Sequence, residues 1–205
     1  MTPRPSDIAS LRATLKGQDL HIPDLRPLFM HWPNFLSSQT LPSVEVYWEG
    51  RLGSSAVSSY AALAKFMIGI TIPDFLRDDE NIKTMWFELN RNVSYVNDMV
   101  SLKKELNVSV YSLIPVTIKE TGNDLPRIVA GFIEGLRISI ENFDQAAACL
   151  LDRAGEETEE IRAGVERYVH VFRTMMTGSL CWSLASDRYG DTEFIQRDGS
   201  LVIPL

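Results

Sequence analysis

Three polar side chains spaced four residues apart are the best candidates for chemistry in this sequence. They are Asn97, Ser101 and Glu105, in the segment NDMVSLKKE. On an α-helix, the members of such a series drift by only about 40° per step, so all three share one face. Neighbouring members are about 6 Å apart along the axis, and the longer Asn97 and Glu105 side chains can bend toward Ser101. An amide oxygen, a hydroxyl and a carboxylate then converge on one point.

Oxygen ligands of this kind suit Mg²⁺, which commonly shares its coordination shell with water and substrate phosphates. One protein carboxylate leaves such an ion with net positive charge, so it would attract a diphosphate. Lys104 precedes Glu105 and is long enough to reach the same phosphate as a point charge. The spacing therefore suggests a magnesium site, although polar residues at this spacing more often form only a solvated helix face.

The segments around these residues have the pattern of long amphipathic helices. Capping residues, Gly and Pro breaks and apolar periodicity predict helices that begin near residues 43, 56, 79, 124 and 156. The third should run to about Glu105, and the ambiguous segment SVYSLIPVTI is interpreted as helical because helices flank it. Alternating strand patterns are scarce. We expect an all-α bundle in which residues 1–205 form a single domain.

Composition narrows the classes of function. The chain has 205 residues, a formal net charge of −7 and no dense Lys/Arg run, which disfavours nucleic acid and anionic lipid as partners. It has no signal-peptide pattern and no apolar segment long enough to span a bilayer, so we expect a cytoplasmic protein. Cys149 and Cys181 are predicted to be small buried side chains and not a disulfide. Nothing in the sequence indicates an oligomeric state.

The arrangement N-D-x-x-S-x-x-x-E resembles the second metal-binding motif of class I terpene synthases. Arg51, in the segment VEVYWEGRLG, lies upstream of Asn97 at a separation similar to that of the diphosphate-sensing arginine in microbial members. Ser54 and Ser55 then fall at the linker and effector positions of the helix break that follows this sensor. By this resemblance, Asn97, Ser101 and Glu105 would be metal ligands and Arg51 would contact the diphosphate.

A third match lies near the end of the chain. Arg188 and Tyr189, which follow Trp182, resemble the Arg-Tyr pair of the same family. A guanidinium and a phenol both suit diphosphate oxygens. The resemblance covers residues 42–190 and implies the all-α class I fold, with Mg²⁺ as cofactor. It also implies that a prenyl diphosphate, most simply farnesyl diphosphate, is ionised and cyclised to a sesquiterpene of the fungal type, with release of diphosphate.

One family motif is missing. The family has an aspartate-rich motif upstream of the sensor arginine, but the acids of residues 1–50 are not clustered. The cluster Asp78-Asp79-Glu80 follows Arg51, so we interpret it as a helix N-terminus. The resemblance therefore implies an N-terminally truncated catalytic domain that yields little or no cyclised product. An incomplete gene product is favoured over a degenerate paralogue or a chain completed by a partner, because the three matching regions are intact.

Two alternatives belong to other classes. The first is a non-catalytic helical protein of the same fold, which binds nothing or only a protein partner. The second is a prenyl-chain-elongating transferase, which is disfavoured because such enzymes use paired aspartate-rich motifs. Trp86, Asn90 and Phe66 are candidate pocket residues, although core packing is the more common role for side chains of these types.

Overall fold

The computed structural model describes residues 41–67, 69, 76, 78–106 and 112–189. Within these ranges the chain is helical and has no strand, as predicted. The helices are α1 (Val44–Ser54), α2 (Val57–Met67), α3 (Glu80–Val100), α4 (Leu102–Leu106), α5 (Leu113–Thr121), α6 (Leu125–Ala154) and α7 (Glu159–Ala185). The predicted tail after Gly190 and residues 1–40 lie outside the described part. No helix in that part is both long and apolar enough to cross a bilayer.

Side-chain caps explain where the helices begin. At each of four N-termini, an oxygen of the capping residue accepts a hydrogen bond from a backbone N–H of the first turn, and the capping residues are Ser43, Asp79, Asp124 and Thr158. Each cap satisfies a donor that has no partner within its helix, which contributes about 1 kcal/mol. The interpretation of the acidic cluster at residues 78–80 as a helix start is confirmed.

Helix α3 lies at the centre of the bundle and contacts α1, α2, α5, α6 and α7. One core cluster joins α3 to α2, α6 and α7 around the fully buried Phe143, Tyr168 and Phe172. Trp86 packs edge-on against Phe172 and donates a hydrogen bond to the Tyr168 hydroxyl, so it serves this core. A second cluster joins α3 to α1, α5 and α6 around Tyr47. These two clusters fix α3, which carries the candidate metal ligands.

The long third helix continues across a one-residue irregularity at Ser101. The Ser101 N–H donates to Asn97 O at 2.8 Å, and the Glu105 N–H donates to Ser101 O at 2.9 Å. Helical hydrogen bonding therefore runs through α3 into α4, which keeps Asn97, Ser101 and Glu105 on one face. The predicted break after Arg51 is also present, because Ala56 adopts a φ of 61° between α1 and α2.

The prediction that the two cysteines are buried is wrong, since both are free and exposed. Cys149 lies about 100° around α6 from the buried Leu150, outside the apolar stripe. Cys181 lies about 140° around α7 from the buried Met176. Apolar neighbours in sequence do not bury a residue that points away from the core face.

Close packing of α3 on α6 depends on Gly135. A Cβ there would lie 2.8 Å from the Tyr95 hydroxyl oxygen and 2.9 Å from Cζ of the same ring. We expect Gly135→Ala to lower the free energy of unfolding by about 1–3 kcal/mol, because the buried Tyr95 ring or the helix that carries it must shift. Gly131→Ala, one turn earlier in open space, should instead raise it by about 0.5–1 kcal/mol. Urea unfolding of both variants tests this, and equal changes would contradict it.

Candidate metal and diphosphate site

Asn97 joins three segments that are distant in sequence. Its Oδ1 accepts a hydrogen bond from Arg51 Nη2 on α1 at 2.6 Å, and its Nδ2 donates to the Tyr189 hydroxyl at 3.0 Å. Tyr189 lies in the turn after α7 and is buried, with its ring packed edge-on against Trp182. The structure thus brings Arg51, Asn97 and Tyr189 together.

Asp98, next to Asn97, is the anion that holds this junction. Its side chain is almost fully buried and accepts hydrogen bonds from the Tyr47 hydroxyl, from Arg51 Nη2 at 2.8 Å and from the Leu113 N–H at 3.1 Å. Burial opposes the charged form of Arg51, but the nearby Asp98, Tyr47 and Glu105 side chains together outweigh it, and the pKa of Arg51 is raised. The guanidinium is therefore fixed against the motif helix in its charged form.

Ser101 and Glu105 have buried oxygens without hydrogen-bond partners. Ser101 is 2% exposed, and neither its Oγ nor Glu105 Oε2 makes a hydrogen bond. Burial, helped by the nearby Asp98 carboxylate, raises the pKa of the Glu105 carboxyl, and the nearby Ser101 and Ser112 hydroxyls offset this only in part. Buried polar groups are nearly always satisfied, so two unsatisfied oxygens on one helix face suit a cation.

These residues fit a divalent ion by the chemistry of their donors. They provide an amide oxygen, a hydroxyl oxygen and a carboxylate, which are the ligands that hard cations prefer. Within the described ranges, no three His, Cys, Asp or Glu side chains group into an alternative metal site. A metal site in this part of the chain would therefore depend on the amide and hydroxyl of the motif.

Asn90, two turns before Asn97 on α3, holds the helix break after Arg51. Its Nδ2 donates to Leu52 O at 2.7 Å, and its Oδ1 accepts from Ser55 Oγ at 2.8 Å. Ser54 Oγ bonds only within its own helix, to Arg51 O. Asn90 is therefore a positioning residue for the break, whereas the Phe66 side chain lies outside the described part.

The side chains of the other two predicted diphosphate ligands, Lys104 and Arg188, make no hydrogen bond to Asn97, Ser101 or Glu105 in the described part of the chain. Lys104 is exposed on α4, and no hydrogen bond joins its ammonium to another described residue. The exposed Arg188 guanidinium lies 5.8 Å from the centre of the Tyr189 ring. Arg188 is thus adjacent to the buried member of its pair, and both cations remain available to an anion.

Comparison with known proteins gives these contacts a family context. A family model described as "Terpene synthase family 2, C-terminal metal binding" matches residues 33–131. The sesquiterpene cyclase hepA of Aspergillus oryzae is 34% identical over 166 residues, which are 80% of this chain and 45% of that protein. Sesquiterpene synthase 6 of Postia placenta is 28% identical over 149 residues, which are 73% of this chain and 43% of that protein.

The fold agrees. Linalool/nerolidol synthase from Streptomyces clavuligerus superposes with a TM-score of 0.71 at 18% identity, covering 78% of this chain and 55% of that one. The chain belongs to the terpene synthase family. Its described helices form part of a class I terpenoid-synthase bundle, as predicted from the motifs. The chain spans less than half the length of the two curated synthases named above.

Tyr47 and Asp98 are the functional-site residues that the sequence-based prediction missed. Asp98 is part of the terpene synthase motif but lies off the face that carries the three oxygen donors. Tyr47 precedes Arg51 by four residues, a spacing that places both on one face of α1. That spacing, together with the acid next to Asn97, is the sequence signal for an anion that Tyr47 and Arg51 both contact.

Proposed function

We propose that this chain binds Mg²⁺ and a prenyl diphosphate, and acts in the ionisation and cyclisation of farnesyl diphosphate to a sesquiterpene. The observation that carries the proposal is the 2.6 Å contact between Arg51 Nη2 and Asn97 Oδ1. It brings the candidate diphosphate-binding guanidinium to the candidate metal motif from a helix that lies 46 residues earlier in sequence. The printed names of the curated relatives, sesquiterpene cyclase and sesquiterpene synthase, support the substrate class.

Asn97, Ser101 and Glu105 would hold the ion on the face shared by α3 and α4. A bound Mg²⁺ would withdraw charge from the departing diphosphate, and this stabilisation of a leaving oxyanion is the main electrostatic contribution to ionisation. Arg51 and the Arg188–Tyr189 pair would donate hydrogen bonds to the diphosphate oxygens, with Lys104 as a further cation. Asp98 would keep the Arg51 guanidinium directed at the motif.

Ligand-induced stabilisation provides the first test. Thermal unfolding of the 205-residue chain is measured with MgCl₂, with inorganic diphosphate, with both, and with both plus EDTA. At ligand concentrations about 100-fold above Kd, we expect both together to raise Tm by roughly 5–10 °C, and EDTA to reverse this. An unchanged Tm with Mg²⁺ and diphosphate together would contradict the proposal.

Ser101→Ala provides a second test, because the change is expected to preserve or raise the stability of the fold but to weaken ligand binding. Removing a buried hydroxyl without a hydrogen-bond partner should leave the free energy of unfolding unchanged or raise it by about 1 kcal/mol. The same change removes one ligand oxygen, so the Tm increase with Mg²⁺ and diphosphate should shrink. If Ser101 had only a structural role, Ser101→Ala would instead lower the free energy of unfolding and leave the Tm increase with Mg²⁺ and diphosphate unchanged.

Incubation with farnesyl diphosphate and Mg²⁺ tests whether this chain catalyses the reaction by itself. Mg²⁺-dependent release of diphosphate with a cyclic hydrocarbon product, detected by gas chromatography and mass spectrometry, supports the synthase and contradicts the expectation of little or no cyclised product. Ligand-induced stabilisation without turnover is the result expected of a sequence without the aspartate-rich motif, and it is also the result for the alternative, a non-catalytic protein of the same fold that retains the ligand site.

A further inference from the structure

Asn97 Oδ1, the amide oxygen proposed as a metal ligand, already accepts a hydrogen bond from the Arg51 guanidinium. Asn97 Oδ1 accepts from Arg51 Nη2 at 2.6 Å, while Asn97 Nδ2 donates to the Tyr189 hydroxyl. These two partners fix the orientation of the amide, because a flipped amide would direct its NH₂ group at a guanidinium, which has only donors. Arg51 and a metal ion would therefore need the same atom.

Electrostatic repulsion opposes simultaneous binding of Arg51 and a metal ion to Asn97 Oδ1. A magnesium-sized ion binds oxygen at about 2.0–2.1 Å, so an ion on Asn97 Oδ1 would lie within about 5 Å of the Arg51 nitrogen. The Arg51 side chain is 19% exposed and the Asp98 side chain 3%, so solvent screens this repulsion only weakly. The Asp98 carboxylate already balances the Arg51 charge, so only the Glu105 carboxylate of the motif is left to balance a divalent ion.

A diphosphate relieves this conflict. It supplies negative charge and acceptor oxygens to the guanidinium, whose buried Nε has no hydrogen-bond partner. Arg51 can then exchange Asn97 Oδ1 for a phosphate oxygen while Asp98 keeps it at the site.

We propose that Arg51 competes with the metal ion for Asn97 Oδ1, so that diphosphate binding, by drawing Arg51 away, opens the site to the ion. This inference rests on the proposed function. It predicts that ion and diphosphate bind cooperatively, and by linkage each ligand must raise the affinity for the other by the same factor. It also predicts that removing the Arg51 charge improves binding of the ion alone.

The test uses Mn²⁺ as the probe and equilibrium dialysis of the full chain, with and without inorganic diphosphate on both sides. The variants are wild type, Arg51→Met and Arg167→Met, a control that makes the same charge change at an exposed position on α7. We expect Arg51→Met to bind Mn²⁺ alone at least about tenfold more tightly than wild type and to gain less from diphosphate. Arg167→Met should behave as wild type.

Two results would overturn the inference in distinguishable ways. If wild type binds Mn²⁺ in the presence of diphosphate but Arg51→Met binds Mn²⁺ alone no better than wild type, the competition is refuted and the proposed function stands. If wild type fails to bind Mn²⁺ even with diphosphate, the proposed function fails and the inference with it. Should circular dichroism show Arg51→Met unfolded, the double variant Arg51→Met/Asp98→Asn removes both charges of the ion pair and makes the same prediction.

Discussion

Asp98→Ala should lower the free energy of unfolding by about 3–5 kcal/mol, because it leaves the Arg51 charge uncompensated in a largely buried setting. The Tyr47 hydroxyl and the Leu113 N–H also lose the acceptor that they share. The carboxylate links α1, α3 and α5, so its removal loosens three helices together. Urea unfolding followed by circular dichroism measures the loss.

Asp144→Ala is the matched control. Asp144 also pairs with an arginine on another helix, at 2.7 Å to Arg173 Nη2, but each side chain of this pair is 50% exposed. Exposed pairs contribute about 1 kcal/mol or less, so Asp144→Ala should cost little. Equal losses in the two variants would show that burial does not set the contribution of Asp98. If Asp98→Ala does not fold, Tyr47→Phe removes the hydrogen bond that the Tyr47 hydroxyl donates to the carboxylate and should cost about 1.5–3 kcal/mol.

Local patterns were sufficient to predict the helices. Ser43, Asp79 and Asp124 act as N-caps, as their types and positions indicated, because capping involves only residues within one turn. The shared face of Asn97, Ser101 and Glu105 followed from helix geometry in the same way. The cysteines show where such reasoning fails, since burial depends on the angle around the helix and not on apolar neighbours.

The contacts between helices could not be predicted from local sequence patterns. No periodicity links Arg51 to Asn97 across 46 residues, and only the family resemblance brought them together before the structure did. Asp98 was missed because its three donors lie on two other helices, Tyr47 and Arg51 on α1 and Leu113 on α5. A buried anion is identified by its partners, and those partners meet only after the helices pack.

Glu105→Gln is expected to weaken Mg²⁺-dependent diphosphate binding by roughly 10- to 100-fold, since the change removes the only carboxylate of the three proposed ligands. We do not expect the change to lower the free energy of unfolding. Burial raises the pKa of Glu105, and its Oε2 has no hydrogen-bond partner, so the ionised carboxylate is costly to the folded chain. A neutral amide of the same shape removes that cost. We therefore expect equal or higher stability alongside weaker binding.

Isothermal titration with inorganic diphosphate at fixed MgCl₂ measures the affinity, and urea unfolding measures the stability of the same samples. Glu157→Gln, in the exposed turn between α6 and α7, makes the same charge change outside the site and should alter neither quantity. If Glu105→Gln lost stability and kept its affinity, Glu105 would be a structural residue. If Glu105→Gln instead kept its stability and lost affinity for diphosphate, the unsatisfied carboxylate would serve to bind the cation and not to stabilise the fold.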